Sequence, residues 1–198
     1  MDSPDALSRE KMTMHKVTRA EIRSRQDYES ARDEFRRKVF AQKQDRRIHL
    51  GPYLTFLFEN HDTILYQVQE MIRTEGIDGE PAIQHEIDTY NELLGDRGEL
   101  GCTLLIEISD EAERAPLLAR WTNLQKTLYL MTQSGERSPA QFDPRQVGTD
   151  RISSVQYLKF AVGDRVLQGI GCSHPDFELE VELEPRQVAA LSMDLVTS

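Results

Sequence analysis

The sequence predicts an α+β fold, with a single twisted, mainly antiparallel sheet of about six strands. Helices are expected mostly on one face of that sheet, and a long helix is expected at the N-terminus. Two observations support this class. Residues 51–72 read as an apolar strand, a tight polar turn and an amphipathic helix. The last third of the chain holds three consecutive strand-like segments, which favour antiparallel pairing. Neither observation determines the order of the strands.

The N-terminal part is predicted as a tail followed by a helix. Residues 1–15 are polar and aperiodic, so we expect a disordered tail, and residues 16–198 are expected to form a single α+β domain. A helix is predicted over residues 18–46, where Thr18 and Glu21 match a capping box. It carries one apolar stripe, formed by Tyr28, Ala31, Phe35 and Val39. A stripe this narrow is typical of a surface helix with one buried seam.

The run over residues 51–72 is the strongest core signal. Residues 53–58 are apolar on both faces of the predicted strand except at Thr55, as in strands that are buried on both sides. Five polar residues, 59–63, form the turn, and the following helix ends at Gly76, a typical C-cap residue. Because rigidly held turns often carry binding groups, this turn is the first candidate for a functional site.

The remaining elements follow from the spacing of apolar residues and from the turn residues between them. In chain order they are a helix over 83–94, a strand over 102–108, a short helix over 116–125, strands over 127–131, 151–162, 165–172 and 177–183, and a closing helix over 187–195. Residues 132–149 are polar, contain two prolines and are predicted to form a long loop.

Composition limits the class of protein. A chain of 198 residues with 38% hydrophobic content is long enough to bury roughly 70% of its unfolded surface. No apolar stretch approaches the ~20 residues of a membrane span, and the N-terminus lacks the apolar segment of a signal peptide. Cys102 and Cys172 form neither a disulfide framework nor a zinc pattern, and buried thiols are expected. These features predict a soluble, cytoplasmic protein without membrane contact.

The charge distribution suggests a basic surface. The chain has a net charge of −10, yet residues 9–47 hold 13 Lys and Arg against 7 Asp and Glu. A basic segment on an acidic body can bind nucleic acid or an acidic partner. The candidate residues are Arg36, Arg37, Lys43, Arg46 and Arg47. The favoured alternative is that this segment folds back onto the acidic remainder, because acids are mixed into it. Few aromatic residues share the basic face, so nucleic-acid binding is the less favoured function.

Recognised catalytic motifs are absent from the sequence. It contains no GxSxG, GxxxxGK[ST], GxGxxG, CxxC or HExxH pattern. A di-iron carboxylate site needs Glu-x-x-His on two helices, and no Glu here is followed by His three residues later. A non-enzymatic role is therefore favoured, and no cofactor is predicted.

Metal binding remains an alternative at three places that combine ligand-type residues. They are Glu59, His61 and Asp62 in the turn; His85, Glu86 and Asp88; and Cys172 with His174. Each has a simpler explanation. Asn60 or Asp62 can cap the following helix, His85 can be a hydrogen-bonded structural histidine, and Pro175 can turn a strand end. The candidate ligand residues are His85, Glu86, His174, Glu59 and Glu70.

Several segments together resemble one known family. They are FLFENHDTILYQVQEMIRTE, IQHEIDTYNELL, GELGCTLLIEI, DRISSVQYLKF and SHPDF, with EFRRKVFAQKQDRRIHLGP as a basic helix. The chain is similar to the bacterial domain-of-unknown-function family 3501 over residues 17–195. The resemblance implies single-domain soluble bacterial proteins without an established activity. It also implies Arg where this chain has His61, which weakens a metal role there, whereas His85 and His174 fall in family-like segments.

The resemblance also implies a functional context. Genes of such proteins often neighbour those of a rubrerythrin and of an iron–sulfur oxidoreductase-like protein. We therefore expect a non-enzymatic binding or accessory protein of a redox or oxidative-stress system, with a rubrerythrin-like or iron–sulfur protein as its partner. The alternatives are a metal-binding protein or metal-dependent enzyme that uses His85, His174 and nearby carboxylates, and nucleic-acid binding through residues 32–47. Assembly of identical chains is left open.

Overall fold

The computed structural model describes residues 16–148 and 150–197, in which five α-helices and two antiparallel four-stranded sheets confirm the α+β class. The helices are α1 Arg25–Gln44, α2 His61–Glu75, α3 Glu80–Asn91, α4 Glu111–Arg120 and α5 Pro185–Thr197. The strands are β1 Arg47–Leu50, β2 Leu54–Glu59, β3 Glu99–Ile106, β4 Leu128–Thr132, β5 Arg137–Pro139, β6 Val155–Ala161, β7 Leu167–His174 and β8 Phe177–Glu182. The predicted tail lies outside the described residues, and the single-domain interpretation stays a prediction.

The prediction of a single sheet of about six strands is wrong. The first sheet has the order β1-β2-β3-β6 and the second has the order β5-β4-β7-β8. Their inner faces share one core, to which the first sheet contributes Phe56, Phe58 and Phe160 and the second contributes Leu130 and Ile170. Alternating apolar residues show that each strand has a buried face, but they do not show which strands are neighbours. Two sheets that bury one face each against the other satisfy the same pattern as one sheet covered by helices.

The two sheets approach each other at both edges. Gln141 and Lys159 exchange two backbone hydrogen bonds of 2.8 Å, which link β6 to the segment after β5. At the opposite edge β1 contacts β8. The short strands β1 and β5 form these edges, and both were missed by sequence patterns. Strand β1 directly follows the helix predicted over residues 18–46, and β5 lies inside the loop predicted over residues 132–149.

The N-terminal helix is shorter than predicted. Thr18 and Glu21 do interact, with the Glu21 carboxylate accepting from the Thr18 N–H at 2.8 Å, but they stabilise a 3₁₀ turn over Arg19–Glu21. A new N-cap at Ser24, whose hydroxyl accepts from the Asp27 N–H at 3.2 Å, then starts α1. Only Tyr28 and Val39 are buried in α1, which confirms a single narrow seam.

The predicted strand, turn and helix of the central run are confirmed. Phe56 is fully buried in β2. Asn60 caps α2, because its side-chain oxygen accepts from the Thr63 N–H at 3.0 Å. Gly76 ends the helix with a φ of 63°, in the left-handed region that glycine adopts readily. The polar turn between two core elements is thus a helix cap.

The helices do not all lie on one face of a sheet. The N-terminal segment packs with α2 and α3 around a second, smaller core that includes Ile64, Val68 and Ile87. Helix α5 instead contacts β3 and β7, one strand from each sheet, and contributes Leu191 to the main core. Among the residues with described positions, no helix has the length and apolar character needed to cross a membrane.

Candidate functional site

The residues proposed as metal ligands lie in different elements. His85 is exposed and Glu86 half-buried on α3, His174 ends β7, Glu59 ends β2, and Glu70 lies in the middle of α2. Over residues 16–148 and 150–197, no three His, Cys, Asp or Glu side chains come together in an arrangement that could hold a metal ion. The binding role of these residues stays a prediction.

Glu70 holds α1 against α2. Its carboxylate accepts from Arg32 Nε at 2.7 Å and from Nη2 at 2.9 Å, and the Tyr28 hydroxyl donates to it at 2.7 Å. The hydrogen bond from Arg32 lowers the pKa of Glu70 to about 2, against the opposing effect of burial. Burial, followed by the hydrogen bond to Glu70, raises the pKa of Tyr28. These contacts give Glu70 a structural role.

His174 lies beside an aromatic cluster and close to Asp176. Its Nδ1 accepts from the Asp176 N–H at 3.1 Å, and its ring centroid is 5.3 Å from that of Phe177. Cys172, two residues earlier, is buried in the core. Burial raises the pKa of its thiol, which disfavours the thiolate that binds metals.

The predicted basic surface requires one correction. Arg46 is buried, with 6% of its surface exposed, because its guanidinium forms a two-point ion pair with Asp194 at 2.7 and 2.8 Å. Arg37 and Arg47 are exposed, and Arg36 lies over the Phe40 ring at 4.9 Å. Lys43 is half-buried, with its ammonium 5.4 Å from the centre of the Tyr66 ring.

Basic residues of the N-terminal segment pair with acids of the remainder. Arg19 binds Glu80 at 2.7 Å, and Lys38 lies 3.5 Å from Asp62. Together with Arg32 and Arg46, they place positive charge from the segment against carboxylates that are distant in sequence. Several basic residues of the segment therefore form ion pairs within the fold, which agrees with the favoured prediction that the segment folds back onto the acidic remainder.

A polar cleft of about 660 Å³ lies beside the turn that begins α2, a place that the sequence first suggested. Its walls include Glu59 and His61 from the turn, Arg46 and Asp194 as an ion pair, and the small residues of α5. His61 Nε2 lies 2.8 Å from Glu21 and its Nδ1 lies 3.4 Å from Asp62. The interaction with Asp62, followed by the attraction of Glu21, raises the pKa of His61 although burial opposes the shift.

Glu59 lines this cleft with its carboxylate half-buried. It accepts from Thr63 Oγ1 at 2.6 Å and from Thr103 Oγ1 at 3.2 Å. Within the described part of the chain, no ion pair is formed by Glu59. Its hydroxyl partners can fix the carboxylate without neutralising it, so this residue gives the cleft negative charge.

The side of the first sheet that faces away from the core carries an apolar centre. We define this outer face by Arg47, His49, Thr55, Leu57, Glu59, Gly101, Thr103, Leu105, Val155, Tyr157 and Lys159. The strand register aligns Leu57, Thr103 and Tyr157 in one row. It aligns Thr55, Leu105 and Val155 in the next row. The apolar members are therefore close neighbours across three strands.

Two of these apolar side chains are well exposed. Tyr157 is 43% exposed and Val155 is 38% exposed, while Leu57 and Leu105 are partly exposed. A groove of about 740 Å³ runs alongside them, between β6, the end of α3 and Phe142. The outer face and this groove form a continuous surface because both include Val155 and Tyr157.

The loop after α3 separates the groove from the polar cleft. The backbone carbonyl of Leu93 lies against Gly101 so closely that a Cβ there would be 1.8 Å from the oxygen. Gly101 stands between Glu59 and Lys159 in the strand register. The polar cleft opens on the Glu59 side and the groove on the Lys159 side.

Sequence reasoning missed the outer face and the ion pair for different reasons. The outer face has no distinct signal in residues 155–160, because its apolar members Val155 and Tyr157 resemble the core residues with which they alternate. No sequence signal relates Arg46 to Asp194, which lie 148 positions apart.

Comparisons with known proteins support one family. A family model described as "Protein of unknown function (DUF3501)" matches residues 16–195. The chain is also similar to a solved structure from Burkholderia pseudomallei K96243, a novel protein of unknown function, with 30% sequence identity and a TM-score of 0.83. The similarity covers 91% of this chain and 99% of that one. Among curated proteins, none matches this chain.

Proposed function

The chain belongs to the DUF3501 family of proteins of unknown function, and from this starting point we propose that it is a non-enzymatic accessory protein that docks a partner protein on its outer face. The observation that carries the proposal is the exposure of Tyr157 and Val155 beside a groove of about 740 Å³. Neighbouring large apolar side chains at a groove are characteristic of interaction surfaces.

The outer face has the arrangement of a protein interface. Its centre is apolar and includes an aromatic residue, Tyr157, of a type enriched in interfaces. Charged residues lie around that centre, with Arg47 at one side and Lys159 beyond Tyr157 on the same strand. An interface with an apolar centre and a charged rim gains affinity from the centre and orientation from the rim.

The charges of the rim select the chemistry of the partner. Within residues 16–148 and 150–197, Arg47 and Lys159 form no ion pair. The Glu59 carboxylate on the same face already accepts from two threonine hydroxyls. We therefore expect a partner that presents apolar side chains flanked by carboxylates. Such carboxylates would meet Arg47 and Lys159 without displacing an existing pair.

The identity of the partner follows from the family resemblance and not from the geometry. The resemblance supports a rubrerythrin-like or iron–sulfur protein and hence a role in a redox or oxidative-stress system. The metal-binding and nucleic-acid alternatives stay predictions, and no contact described above favours either of them over docking.

A direct binding experiment tests this proposal. Purified rubrerythrin and the iron–sulfur protein from the same bacterium are passed in turn over immobilised full-length chain. We expect one of them to bind, and Tyr157→Asp to weaken binding at least about tenfold, because it places a charge in the apolar centre. Val166→Asp is the matched control, since Val166 is 50% exposed and precedes β7 in the second sheet. Failure of both proteins to bind, or equal loss in the two variants, would overturn the proposal.

A further inference from the structure

A separate cavity opens at one end of the two sheets. The turn between β1 and β2, the turn between β7 and β8 and the end of α4 meet there around a volume of about 290 Å³. We call this cavity the aromatic pocket, and its walls include Tyr53, Trp121, Phe177, Leu50, Leu117 and Leu179. Ends of closed or nearly closed sheets are frequent positions for small-molecule sites.

Three rings form one wall of the aromatic pocket. The centroids of Tyr53 and Trp121 are 5.3 Å apart, and the centroids of Trp121 and Phe177 are also 5.3 Å apart with their planes at 86°. Trp121 is buried, with 2% of its surface exposed, while Tyr53 and Phe177 are half-buried. The rings are therefore fixed by mutual packing, which prepares a rigid apolar wall.

An ion pair stands at the rim of the aromatic pocket. Arg120 Nη2 donates to Asp176 Oδ1 at 2.5 Å, and the Trp121 indole N–H donates to Asp176 Oδ2 at 3.0 Å. The Arg120 side chain is 65% exposed and that of Asp176 is 20% exposed. Arg120 Nε also lies 2.5 Å from Asp176 Oδ2, so three N–H groups contact this carboxylate.

We propose that the aromatic pocket binds a small, flat apolar carboxylate, with its ring against the half-buried Tyr53 and Phe177 and its carboxylate on Arg120. The volume is close to the lower end of small-molecule sites, roughly 300–1,000 Å³, which fits one or two rings and excludes a protein segment. The leucines and rings supply an apolar environment for the body of such a ligand.

The rim accounts for the sign of the ligand charge. A guanidinium carries five N–H donors, and the contacts to Asp176 use one on Nε and one on Nη2, which leaves three donors on a side chain that is 65% exposed. A carboxylate can use them in the two-point geometry that arginine favours. A cationic ligand would instead meet the positive charge of Arg120, and Asp176 already accepts from three N–H groups.

The single tryptophan of the chain makes the proposal testable. Its indole N–H gives one resonance in a ¹H–¹⁵N spectrum of the full-length protein, and 1-naphthoate is the probe. We expect a saturable shift of that resonance with a dissociation constant on the order of 1 mM, as befits a ligand of this size. Arg120→Gln should raise the dissociation constant about fivefold to tenfold, since one charged hydrogen-bond partner is lost.

Two controls make the outcome decisive. Arg97→Gln removes an exposed arginine elsewhere and should leave the affinity unchanged. The cation 1-naphthylmethylammonium has a similar ring and should bind more weakly than 1-naphthoate to the unmodified chain. The absence of a saturable shift, equal affinity in Arg120→Gln, or tighter binding of the cation would each overturn the proposal.

Discussion

At the scale of single residues, the polar turn at the start of α2 has a structural role. Asn60 caps the helix, and Thr63 bonds both the cap and Glu59. His61 points between two carboxylates, Glu21 and Asp62, and not toward a set of metal ligands. A cation at position 61 is therefore what this turn requires, and the Arg that the family resemblance implies would meet the same need.

His61 gives a pH prediction whose sign follows from its raised pKa. A histidine with a folded pKa above its unfolded value of about 6.5 stabilises the fold fully below that value. This stabilisation is lost as the pH rises through the folded pKa. His61→Arg should keep the positive charge, so it should fold normally and lose less stability between pH 5.5 and pH 8.5. For a partly exposed pair the difference should be at most about 1 kcal/mol.

Urea unfolding of both forms across that range measures this difference, and the ring signal of His61 in NMR reports its pKa. A His61 pKa at or below about 6.5 would contradict the expected sign. Loss of folding in His61→Arg would show instead that the imidazole has a specific role in the turn.

At the scale of elements, β2 places neighbouring apolar residues in two different environments. Phe56 points into the main core and is fully buried, whereas its neighbour Leu57 lies on the outer face and is partly exposed. The sequence made both faces of β2 apolar, and from that pattern we expected burial on both sides. The outer face shows why the pattern is ambiguous, because apolar residues can also serve a surface that binds a partner.

The alternation predicts unequal costs for two adjacent substitutions. Phe56→Ala should lower the free energy of unfolding by about 3–5 kcal/mol, since it opens a cavity among packed aromatic and aliphatic side chains. Leu57→Ala should cost about 1 kcal/mol or less, as for partly exposed side chains. Chemical denaturation of the two variants and the unmodified chain measures both values. Equal costs would refute the in-and-out assignment of β2.

At the scale of the whole molecule, one buried ion pair ties distant parts of the chain together. Arg46 follows α1 and Asp194 lies in α5, and their side chains are 8% and 7% exposed. The Arg46 guanidinium also donates to the Gln42 carbonyl at 3.1 Å, which fixes the end of α1. The pair thus connects the N-terminal helical layer to the helix that contacts both sheets.

Replacing one member of this ion pair should lower the free energy of unfolding more than replacing both members. Arg46→Met removes the guanidinium that neutralises the buried Asp194 and should destabilise the fold by about 3–5 kcal/mol. The double variant Arg46→Met with Asp194→Leu should recover most of that loss, because no charge stays buried. Arg47→Met changes the next residue, which is exposed, and should have an effect within about 0.5 kcal/mol. Urea unfolding of the four proteins tests this; a double variant no more stable than Arg46→Met would contradict it.

The sequence predicted the features that depend on neighbours along the chain. The β2 strand, the Asn60 cap, the Gly76 C-cap and the narrow seam of α1 follow from side-chain spacing and from local hydrogen bonds. The buried cysteines and the family resemblance were also correct. Local competition defeated the prediction at the long N-terminal helix, where Ser24 starts a second helical segment. The short helix predicted over residues 116–125 is found earlier, at Glu111–Arg120.

The tertiary structure decided everything that depends on which surfaces meet. Four features join residues that are distant in sequence. They are the division of the strands into two sheets, the contact of the Leu93 carbonyl with Gly101, the pairing of Arg46 with Asp194, and the meeting of two turns with the end of α4 at the aromatic pocket. A periodic pattern shows that a face is apolar, but many partners could cover an apolar face equally well. Only the packing of the whole chain selects among them, and so only the structure showed that the outer face of the first sheet presents Tyr157 and Val155 to solvent.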